Sequence, residues 1–409
     1  MKNDRVILHS DLNNFYASVE CMLHPELRGR CVAVCGSEED RHGIVLAKNQ
    51  EAKAMGVKTA ETIWQARIKC PGLLVVSPHF DEYKKYSNIV RNIYRRYTDM
   101  IEPFGLDECW LDVTGSRMLF GSGIEIAEKI RRDVKEETGL TVSVGVSFNK
   151  VFAKLGSDLK KPDAVTVISR ENFKNIVFPL SVDSIIGVGK ATGQKLKKFG
   201  ITTVGELADT PIDFLNYHFG KHGIALWKYA NGEDNSPVTH EDFEQEVKSI
   251  GHGLTLTEDL TNNEEVWKVM FHLSRDIETS LREKDLAAAS VAISVKDSFL
   301  ETKEYQTPLK KPSVSAYDIA AHAFALFKNK YTWKRNVRSV TVRVIKLCDK
   351  DANCQLDFFE KDNIKREKAE DAAYEIEKRF GRNALTYASL MGDMKLPKNL
   401  KNKSIHLEE

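Results

Sequence analysis

The sequence lacks any run of about 18 uninterrupted apolar residues, and no long apolar stretch follows a basic start at its beginning. These absences argue against a membrane-spanning helix and against secretion, so we expect a cytoplasmic protein with no membrane partner. Paired Cys-x-x-Cys spacing is also missing, and the seven cysteines are an odd number. The sequence therefore disfavours a zinc site and favours free or buried thiols in a reducing compartment.

The net charge of the chain is also small. The 409 residues carry a formal charge of only +1, which is low for a protein that binds a polyanion. The positive charge is nevertheless concentrated: residues 141–200 contain ten Lys or Arg against four acids, and residues 291–349 contain eleven against five. Two separate basic surfaces could therefore contact a phosphate backbone. An ordinary solvated surface accounts for the same charges equally well.

The pattern of apolar residues divides the chain into segments of different character. From residue 5 to residue 146, short apolar runs alternate with helical stretches, which predicts an α/β layer with one sheet. After Pro179 short helices surround glycine-rich turns, a pattern typical of a small helical domain. The polar stretch 231–246 is interpreted as a linker. For the remainder we predict helices at 264–283, 313–328 and 361–380 and strands at 287–295 and 337–347, which form a second α+β domain and a charged tail.

Three acids stand in apolar surroundings, where a carboxylate needs a compensating cation. Asp11 ends a predicted strand, and Asp107 and Glu108 lie in a predicted strand pair. Such carboxylates could hold Mg²⁺ ions that activate a hydroxyl group and neutralise a triphosphate during in-line displacement. Successive strand residues point to opposite faces, so Asp107 and Glu108 can share a site only near a turn, for which Gly105 gives room. Taken alone, this pair is better explained as a solvated hairpin tip.

Two stretches together resemble the signature motifs of Y-family DNA polymerases. They are His9-Ser-Asp-Leu-Asn-Asn-Phe-Tyr-Ala-Ser-Val-Glu20 and Leu106-Asp-Glu-Cys-Trp-Leu-Asp112. The resemblance implies that Asp11, Asp107 and Glu108 bind two Mg²⁺ ions, with Mn²⁺ as a substitute, and that the backbone carbonyl of Leu12 also contacts metal. A third stretch, residues 144–162, is similar to a strand and following helix of the family and implies that Lys161 binds the triphosphate.

The resemblance also implies which residues surround the incoming nucleotide. Tyr16 would be the steric gate that excludes a 2′-hydroxyl group, and the backbone amides around Phe15 and Tyr16 would contact the β- and γ-phosphates. Gln50 and Lys53 stand where the family usually has a Tyr and an Arg. Lys53 keeps the charge but lacks the guanidinium fork, so its phosphate contacts would differ from the family pattern.

The resemblance extends to about residue 359 and implies an α+β multidomain fold of the right-hand polymerase type. We expect an α/β palm, small fingers, a helical helix-hairpin-helix thumb and an α+β little finger. The predicted boundaries are 1–19 and 78–168 for the palm, 20–77 for the fingers, 169–233 for the thumb, 234–247 for a linker, 248–348 for the little finger and 349–409 for a C-terminal tail.

Two basic segments are expected to hold DNA without reading its sequence. Residues 185–196 have the form of a helix-hairpin-helix, in which glycines let backbone amides approach a phosphate. Residues 333–343 alternate basic and apolar side chains, so one face of a strand could follow phosphates; an edge strand kept soluble by its charge is the alternative. The residues expected to contact DNA are Gly187, Gly189, Lys190, Lys195, Lys334, Arg335, Arg338 and Arg343.

The segment 355–359 looks like the short motif by which polymerases bind a sliding clamp, with Gln355, Leu356, Phe358 and Phe359 as its anchors. The alternative is that its apolar side chains pack back on the little finger.

Together these features predict a monomeric, template-directed DNA polymerase that adds dNMP from dNTP to a primer end on primer-template DNA, with low fidelity and past damaged bases. A palm-type nucleotidyl cyclase would use similar carboxylates, but it has no use for a thumb or a little finger. A non-catalytic factor that binds DNA or a clamp on a polymerase scaffold is the other alternative. Gln50 and Lys53 leave room for it, and the intact set Asp11, Asp107, Glu108 and Lys161 argues against it.

Overall fold

The computed structural model describes residues 5–38, 41, 43–243, 246–350, 361–381, 384–392 and 394–397. The chain forms two compact units, one of residues 1–36 and 44–244 and the other of residues 37–43 and 245–409. Within the described ranges, no helix is long and apolar enough to cross a membrane.

The first unit alternates strands and helices up to residue 168 and is helical after it. Its strands are β1 (Ile7–Leu12), β2 (Val32–Cys35), β3 (Val45–Lys48), β4 (Leu74–Val76), β5 (Ile101–Phe104), β6 (Glu108–Asp112), β7 (Val142–Ser147) and β8 (Val165–Ile168). Its helices are α1 (Phe15–Leu23), α2 (Gln50–Ala54), α3 (Ile63–Lys69), α4 (Phe80–Tyr94), α5 (Arg117–Phe120), α6 (Gly123–Thr138), α7 (Lys150–Leu159), α8 (Phe173–Val177), α9 (Lys190–Lys198), α10 (Val204–Asp209) and α11 (Ile212–Ala230).

A five-stranded sheet in the order β5-β6-β1-β7-β8 forms the centre of this unit. The predicted alternation of strands and helices is confirmed, but the expectation of one sheet is wrong, because β2, β3 and β4 pair only with one another. The central strand β1 is antiparallel to both β6 and β7, and all six of its residues are buried. Alternate residues of β1 point to opposite faces. Leu8 and Leu12 pack in a core with residues of α4 and α6, whereas Ile7 packs with Ala153 of α7 on the other face.

The helix α7 lies unusually close to β7 because residue 145 is a glycine. A Cβ atom at Gly145 would come within 1.9 Å of the carbonyl oxygen of Ala153 and within 2.6 Å of the amide nitrogen of Ser157. Since α7 lies over β1 at the same time, this glycine determines how near the polar side chains of α7 come to the middle of the sheet.

A second, three-stranded sheet has the order β3-β2-β4 and carries the short helices α2 and α3 around its own small core. Asn49 begins α2: its side chain accepts a hydrogen bond from the amide of Ala52 and donates one to the carbonyl of Arg30. The helices α8–α11 form a further core that includes Leu196, Leu215 and Leu226. The short helices predicted after Pro179 are thus confirmed.

The stretch interpreted as a linker has no regular structure at residues 233–240, as expected, but its first half is packed. Val238 is buried with Ile7 and Trp110, and the amide of Thr239 donates a hydrogen bond of 2.9 Å to Glu102. The stretch is therefore held against the first unit before the second unit begins.

The second unit is an antiparallel sheet in the order β11-β10-β12-β9, with helices packed on one face. Its elements are β9 (Ser249–Leu260), α12 (Asn263–Glu283), β10 (Leu286–Asp297), β11 (Thr302–Ser313), α13 (Ala316–Lys330), β12 (Val337–Asp349) and α14 (Lys361–Phe380). The predicted helices 264–283 and 313–328 and strands 287–295 and 337–347 are confirmed. Both β9 and β11 went unrecognised, because each contains many polar residues and pairs through its backbone at the edge of the sheet.

The predicted tail helix is confirmed as α14, and it lies on the helices of the second unit. Arg275 pairs with Glu377, Arg282 with Asp371 at 2.6 Å and Arg366 with Asp318 at 2.5 Å. Leu390, beyond α14, is buried in a cluster with Phe271. The described part of the tail is therefore packed on this unit.

Candidate active site

The polar centre of the molecule lies on the face of the large sheet that α7 covers. His9 and Asp11 alternate with Leu8 and Leu12 along β1, so both point toward α7. Glu108 is the direct partner of Asp11 on β6. Strand alternation and register thus bring two of the three predicted ligands together.

The third acid, Asp107, lies in the turn between β5 and β6, one residue before β6 begins. Gly105 has a φ of +80° in this turn, and the carbonyl of Asp107 accepts a hydrogen bond of 2.9 Å from the amide of Leu12. Because Asp107 lies in the turn, its side chain need not point to the face opposite that of Glu108. This is the condition under which the two adjacent acids can share one site.

Two lysines neutralise the acids. The ammonium group of Lys161 lies 2.7 Å from Asp11 Oδ2 and 2.9 Å from Asp158. The ammonium group of Lys154, on α7, donates a hydrogen bond to Glu108. The buried ring of His9 contacts both Ser157 and Glu108. Its Nδ1 atom lies 2.8 Å from Ser157 Oγ, and its Nε2 atom lies 3.4 Å from Glu108 Oε2.

The electrostatics of the three acids differ. Burial raises the pKa of Asp11 to about 7, and the Glu108 charge adds to this although Lys161 opposes it. Burial and the Glu108 charge likewise raise the pKa of Asp107. Burial also disfavours the ionised form of Glu108, but hydrogen bonds from His9 and Lys154 outweigh it and lower its pKa to about 2. The pKa of Glu108 is therefore lowered, whereas the pKa values of Asp11 and Asp107 are raised.

This donor set fits a hard divalent cation. Carboxylate oxygens and a backbone carbonyl are the ligands that Mg²⁺ prefers, and the site already stabilises two ammonium groups. In the described part of the chain, however, no three Asp, Glu, His or Cys side chains converge as a ready metal cluster. The ammonium groups of Lys161 and Lys154 contact the oxygens of Asp11 and Glu108 in this structure.

Tyr16, the predicted steric gate, lies at the start of α1 beside these acids. Burial raises the pKa of Tyr16, and the charge of Asp107 adds to this. The ring of Tyr16 is stacked on Tyr83, with centroids 4.3 Å apart and planes inclined by 10°. Tyr83 in turn donates a hydrogen bond to the buried Glu20, which His79 also contacts at 2.9 Å. The Tyr16 ring is thus held in place by Tyr83, which is itself fixed by its hydrogen bond to Glu20. Phe15, by contrast, places its side chain in the core, which leaves only its backbone for a nucleotide.

Gln50 and Lys53 lie on α2, and the side chain of Lys53 is exposed. Burial lowers the pKa of Lys48, and the charge of Lys53 adds to this. The ammonium group of Lys48 donates a hydrogen bond of 2.7 Å to Thr59.

The residues expected to contact DNA are placed differently from one another. Gly187 has a φ of +92°, and Gly189 directly precedes α9, which begins at Lys190. Lys195 donates a hydrogen bond of 2.5 Å to the carbonyl of His218. Lys334 and Arg343 are exposed and Arg338 is partly buried, whereas Arg335 pairs with Asp297 at 3.0 Å and Glu301 at 2.9 Å. The clamp motif, Gln355, Leu356, Phe358 and Phe359, lies outside the described residues.

Sequence reasoning did not identify His9, Lys154 or Lys48 as parts of the site. A signal was present for one of them: His9 lies two residues before Asp11 on a strand, so both side chains point to the same face.

Comparison with known proteins covers most of the chain. Family models match it over residues 10–158 (impB/mucB/samB family), 183–234 (DNA polymerase-iota, thumb domain) and 247–358 (impB/mucB/samB family C-terminal domain). A protein of Acetivibrio thermocellus named DNA polymerase IV is 50% identical over 392 residues, which are 95% of this chain and 98% of that protein. DNA polymerase IV 1 of Bacillus subtilis is 36% identical over 92% of this chain and 91% of its own length. A solved Y-family DNA polymerase chimera matches with a TM-score of 0.75 and 25% identity, over 84% of this chain and 99% of that one. This chain therefore belongs to the Y family of DNA polymerases and is a DNA-directed DNA polymerase.

Proposed function

We propose that this polymerase copies DNA past damaged template bases by phosphoryl transfer at a site for two Mg²⁺ ions, with low fidelity. The observation that supports this most directly is the pairing of Asp11 with Glu108 across β1 and β6, with Asp107 in the adjoining turn. Its substrates are a primer-template DNA and a dNTP.

In this mechanism Asp11, Asp107, Glu108 and the carbonyl of Leu12 hold the metal ions. The ions would supply Lewis acidity to the primer 3′-hydroxyl and to the triphosphate. Lys161 leaves Asp11 and binds the triphosphate, so that its positive charge follows the phosphate oxygens. Lys48 and Lys53 contribute charge from the fingers side, and the amides at the start of α1 meet the β- and γ-phosphates. Tyr16 lies against the sugar.

Low fidelity and lesion tolerance follow from the size of the fingers. The three-stranded sheet carries only the short helices α2 and α3, with five and seven residues, and Trp64 and Ile68 of α3 are largely exposed. Such a small element encloses little of a nascent base pair, so shape selection against a mismatch or a damaged base is weak.

A sliding clamp is the proposed partner through residues 355–359, and the proposed working state is a monomer. The motif places a glutamine, a leucine and two aromatic residues in the spacing that fills a clamp pocket.

The test is primer extension on an undamaged template and on one with an abasic site. We expect wild-type protein with Mg²⁺ to extend both, and the double variant Asp107→Ala/Glu108→Ala to extend neither while still binding DNA. Asp112→Asn, at the far end of the same strand, is the matched control and should keep activity. If the double variant extended primers as well as Asp112→Asn does, the proposed metal site would be wrong. If the wild-type protein stopped at the abasic site, the proposal of lesion bypass would be wrong, but the assignment as a polymerase would stand.

A further inference from the structure

The turn between β5 and β6, which carries Asp107, is held by groups from outside its own hairpin. Three successive carbonyl groups of the turn each accept a hydrogen bond from another element. They are those of Gly105, from Arg91 at 2.8 Å, of Leu106, from Ser87 at 2.5 Å, and of Asp107, from the amide of Leu12 at 2.9 Å. Carbonyl groups in a surface turn can bond to water instead. Protein donors therefore fix this turn more firmly than its hairpin alone would.

These bonds fix the direction in which the side chain of Asp107 leaves the backbone. A peptide unit is planar, so the two planes on either side of a residue define its φ and ψ angles. The plane before Asp107 carries the Leu106 carbonyl, which Ser87 holds. The plane after it carries the Asp107 carbonyl, which the amide of Leu12 holds. Ser87 and β1 together therefore set the φ and ψ angles of Asp107.

The two side-chain donors lie on one face of α4. Ser87 and Arg91 are four residues apart in the helix, so their side chains point the same way, toward the turn. Ser87 is buried, and its hydroxyl group donates to Leu106, although a serine in a helix often donates to the carbonyl four residues before it. Arg91 donates through Nη2 to Gly105. Both donors reach the backbone of the turn, so they act on Asp107 through its peptide groups.

We infer that Ser87 and Arg91 are positioning residues for Asp107. By holding two carbonyl groups of the turn, they keep its carboxylate directed toward Asp11 and Glu108, and they contact neither the substrate nor a metal ion themselves. The inference rests on the proposed function, in which these three acids hold the ions. Removal of a group that orients a metal ligand typically changes the affinity for the ion by about 10- to 100-fold. Loss of either donor should therefore weaken the metal-dependent binding of a nucleotide.

The test measures nucleotide binding without turnover. The full-length protein is bound to a primer-template whose primer ends in a 2′,3′-dideoxynucleotide, and calorimetry follows the binding of the next dNTP as the Mg²⁺ concentration is raised. Ser87→Ala and Arg91→Met should each raise the Mg²⁺ concentration for half-maximal binding about tenfold. Arg91→Lys, which keeps a donor, should recover part of this loss. Asn88→Ala, exposed on the same helix, should behave as wild type.

A double variant shows whether Ser87 acts through Asp107. In an Asp107→Ala background, at Mg²⁺ concentrations that still support binding, Ser87→Ala should cause no further change, because the side chain that it orients is gone. An equal effect in both backgrounds, or wild-type Mg²⁺ dependence in both Ser87→Ala and Arg91→Met, would overturn the inference and leave the proposed metal site intact. Wild-type Mg²⁺ dependence in Asp107→Ala itself would refute that site and the inference with it. Arg91 is partly exposed, so Arg91→Met stays informative even if Ser87→Ala destabilises the fold.

Discussion

At the scale of single residues, the acids that we propose as metal ligands lie in surroundings that favour a bound cation even without substrate. Asp11 is buried and has a pKa of about 7, and its immediate neighbours are Lys161 and Glu108. A carboxylate in this state binds a proton and a metal ion in competition, since both need the same ionised oxygen.

This competition predicts that Mg²⁺ dependence varies with pH. Below about pH 7 a proton occupies Asp11, so the Mg²⁺ concentration for half-maximal primer extension should rise by up to about tenfold per pH unit. Between about pH 7.5 and pH 8.5 it should change little. Titrations of Mg²⁺ from pH 6 to pH 8.5 measure this, and a requirement that stays constant down to pH 6 would contradict the raised pKa.

Tyr16 supports a second prediction at this scale. Tyr16→Ala removes the ring that we propose lies against the sugar, so discrimination against ribonucleotides should fall by about 100-fold or more. Tyr16→Phe keeps the ring and its stacking on Tyr83 and should keep the discrimination. Single-nucleotide insertion of dNTP and rNTP by both variants measures the ratio, and unchanged selectivity in Tyr16→Ala would exclude it as the gate.

Among residues, the sequence predicted the acids and Lys161 through a motif, but it did not predict the roles of Lys154 and Lys48. Lys154 was counted only as charge and Lys48 was not singled out, because their roles depend on how closely a helix or a neighbouring strand approaches. That distance is set by packing, which a linear pattern does not contain.

At the scale of elements, the contact of α7 with β7 positions Lys154 over the acids. Gly145→Ala would force the helix away from the strand, and we expect a loss of about 3 kcal/mol of unfolding free energy together with most of the activity. Gly72→Ala is the control, because its Cβ would meet nothing within 4 Å, and it should be neutral. Chemical denaturation and primer extension measure both effects; a fully stable, active Gly145→Ala would show that α7 can shift without cost.

The helix α12 carries a carboxylate that makes stability depend on pH. Burial raises the pKa of Glu278 from 4.5 to about 7, and the Glu370 charge adds to this while Arg282 opposes it. The folded state therefore binds this proton more tightly than the unfolded chain, and stability falls as pH rises from about 5 to about 8, by on the order of 2 kcal/mol.

Glu278→Gln removes this titration and should flatten the pH dependence, whereas Glu283→Gln, exposed on the same helix, should leave it as in wild type. Thermal unfolding of the full chain across this pH range is the measurement. Parallel curves for wild type and Glu278→Gln would contradict the assignment.

Elements with strong periodicity were predictable, and edge strands were not. The helices α12 and α13 and the strands β10 and β12 carry continuous apolar faces that pack in one core. The strand β11 includes Lys303, Glu304 and Lys310, and only one of its twelve residues is buried, so nothing in its composition separates it from a loop. The strand β11 forms because the backbone of β10 supplies its hydrogen-bond partners.

At the scale of the whole molecule, the fold was predictable through the family resemblance, whereas the packing of the tail was not. The sequence predicted α14 only as a helix in a charged tail, and several of its charges pair across to α12 and α13, which lie far away in sequence.

The prediction at this scale concerns the stimulation of DNA synthesis by a sliding clamp. Deleting residues 355–359 should abolish most stimulation of synthesis by a sliding clamp and leave extension without the clamp unchanged. Primer extension with and without clamp measures both quantities. Deleting 399–403, from the other end of the tail, is the control, and equal loss of basal and stimulated synthesis in the 355–359 deletion would mean that the segment is structural.

The docked tail changes what a clamp contact would permit. The ten residues 351–360 join β12 to α14, and both of these elements belong to the same packed unit. A segment anchored at both ends has a contour of about 35 Å and can rise no more than about 17 Å from its anchors. A free terminal peptide would let the enzyme swing widely around its clamp. This chain would instead contact its clamp through residues whose two ends are fixed on the second unit, so the polymerase would stay close to the clamp surface and the search for the primer end would be confined to a small volume.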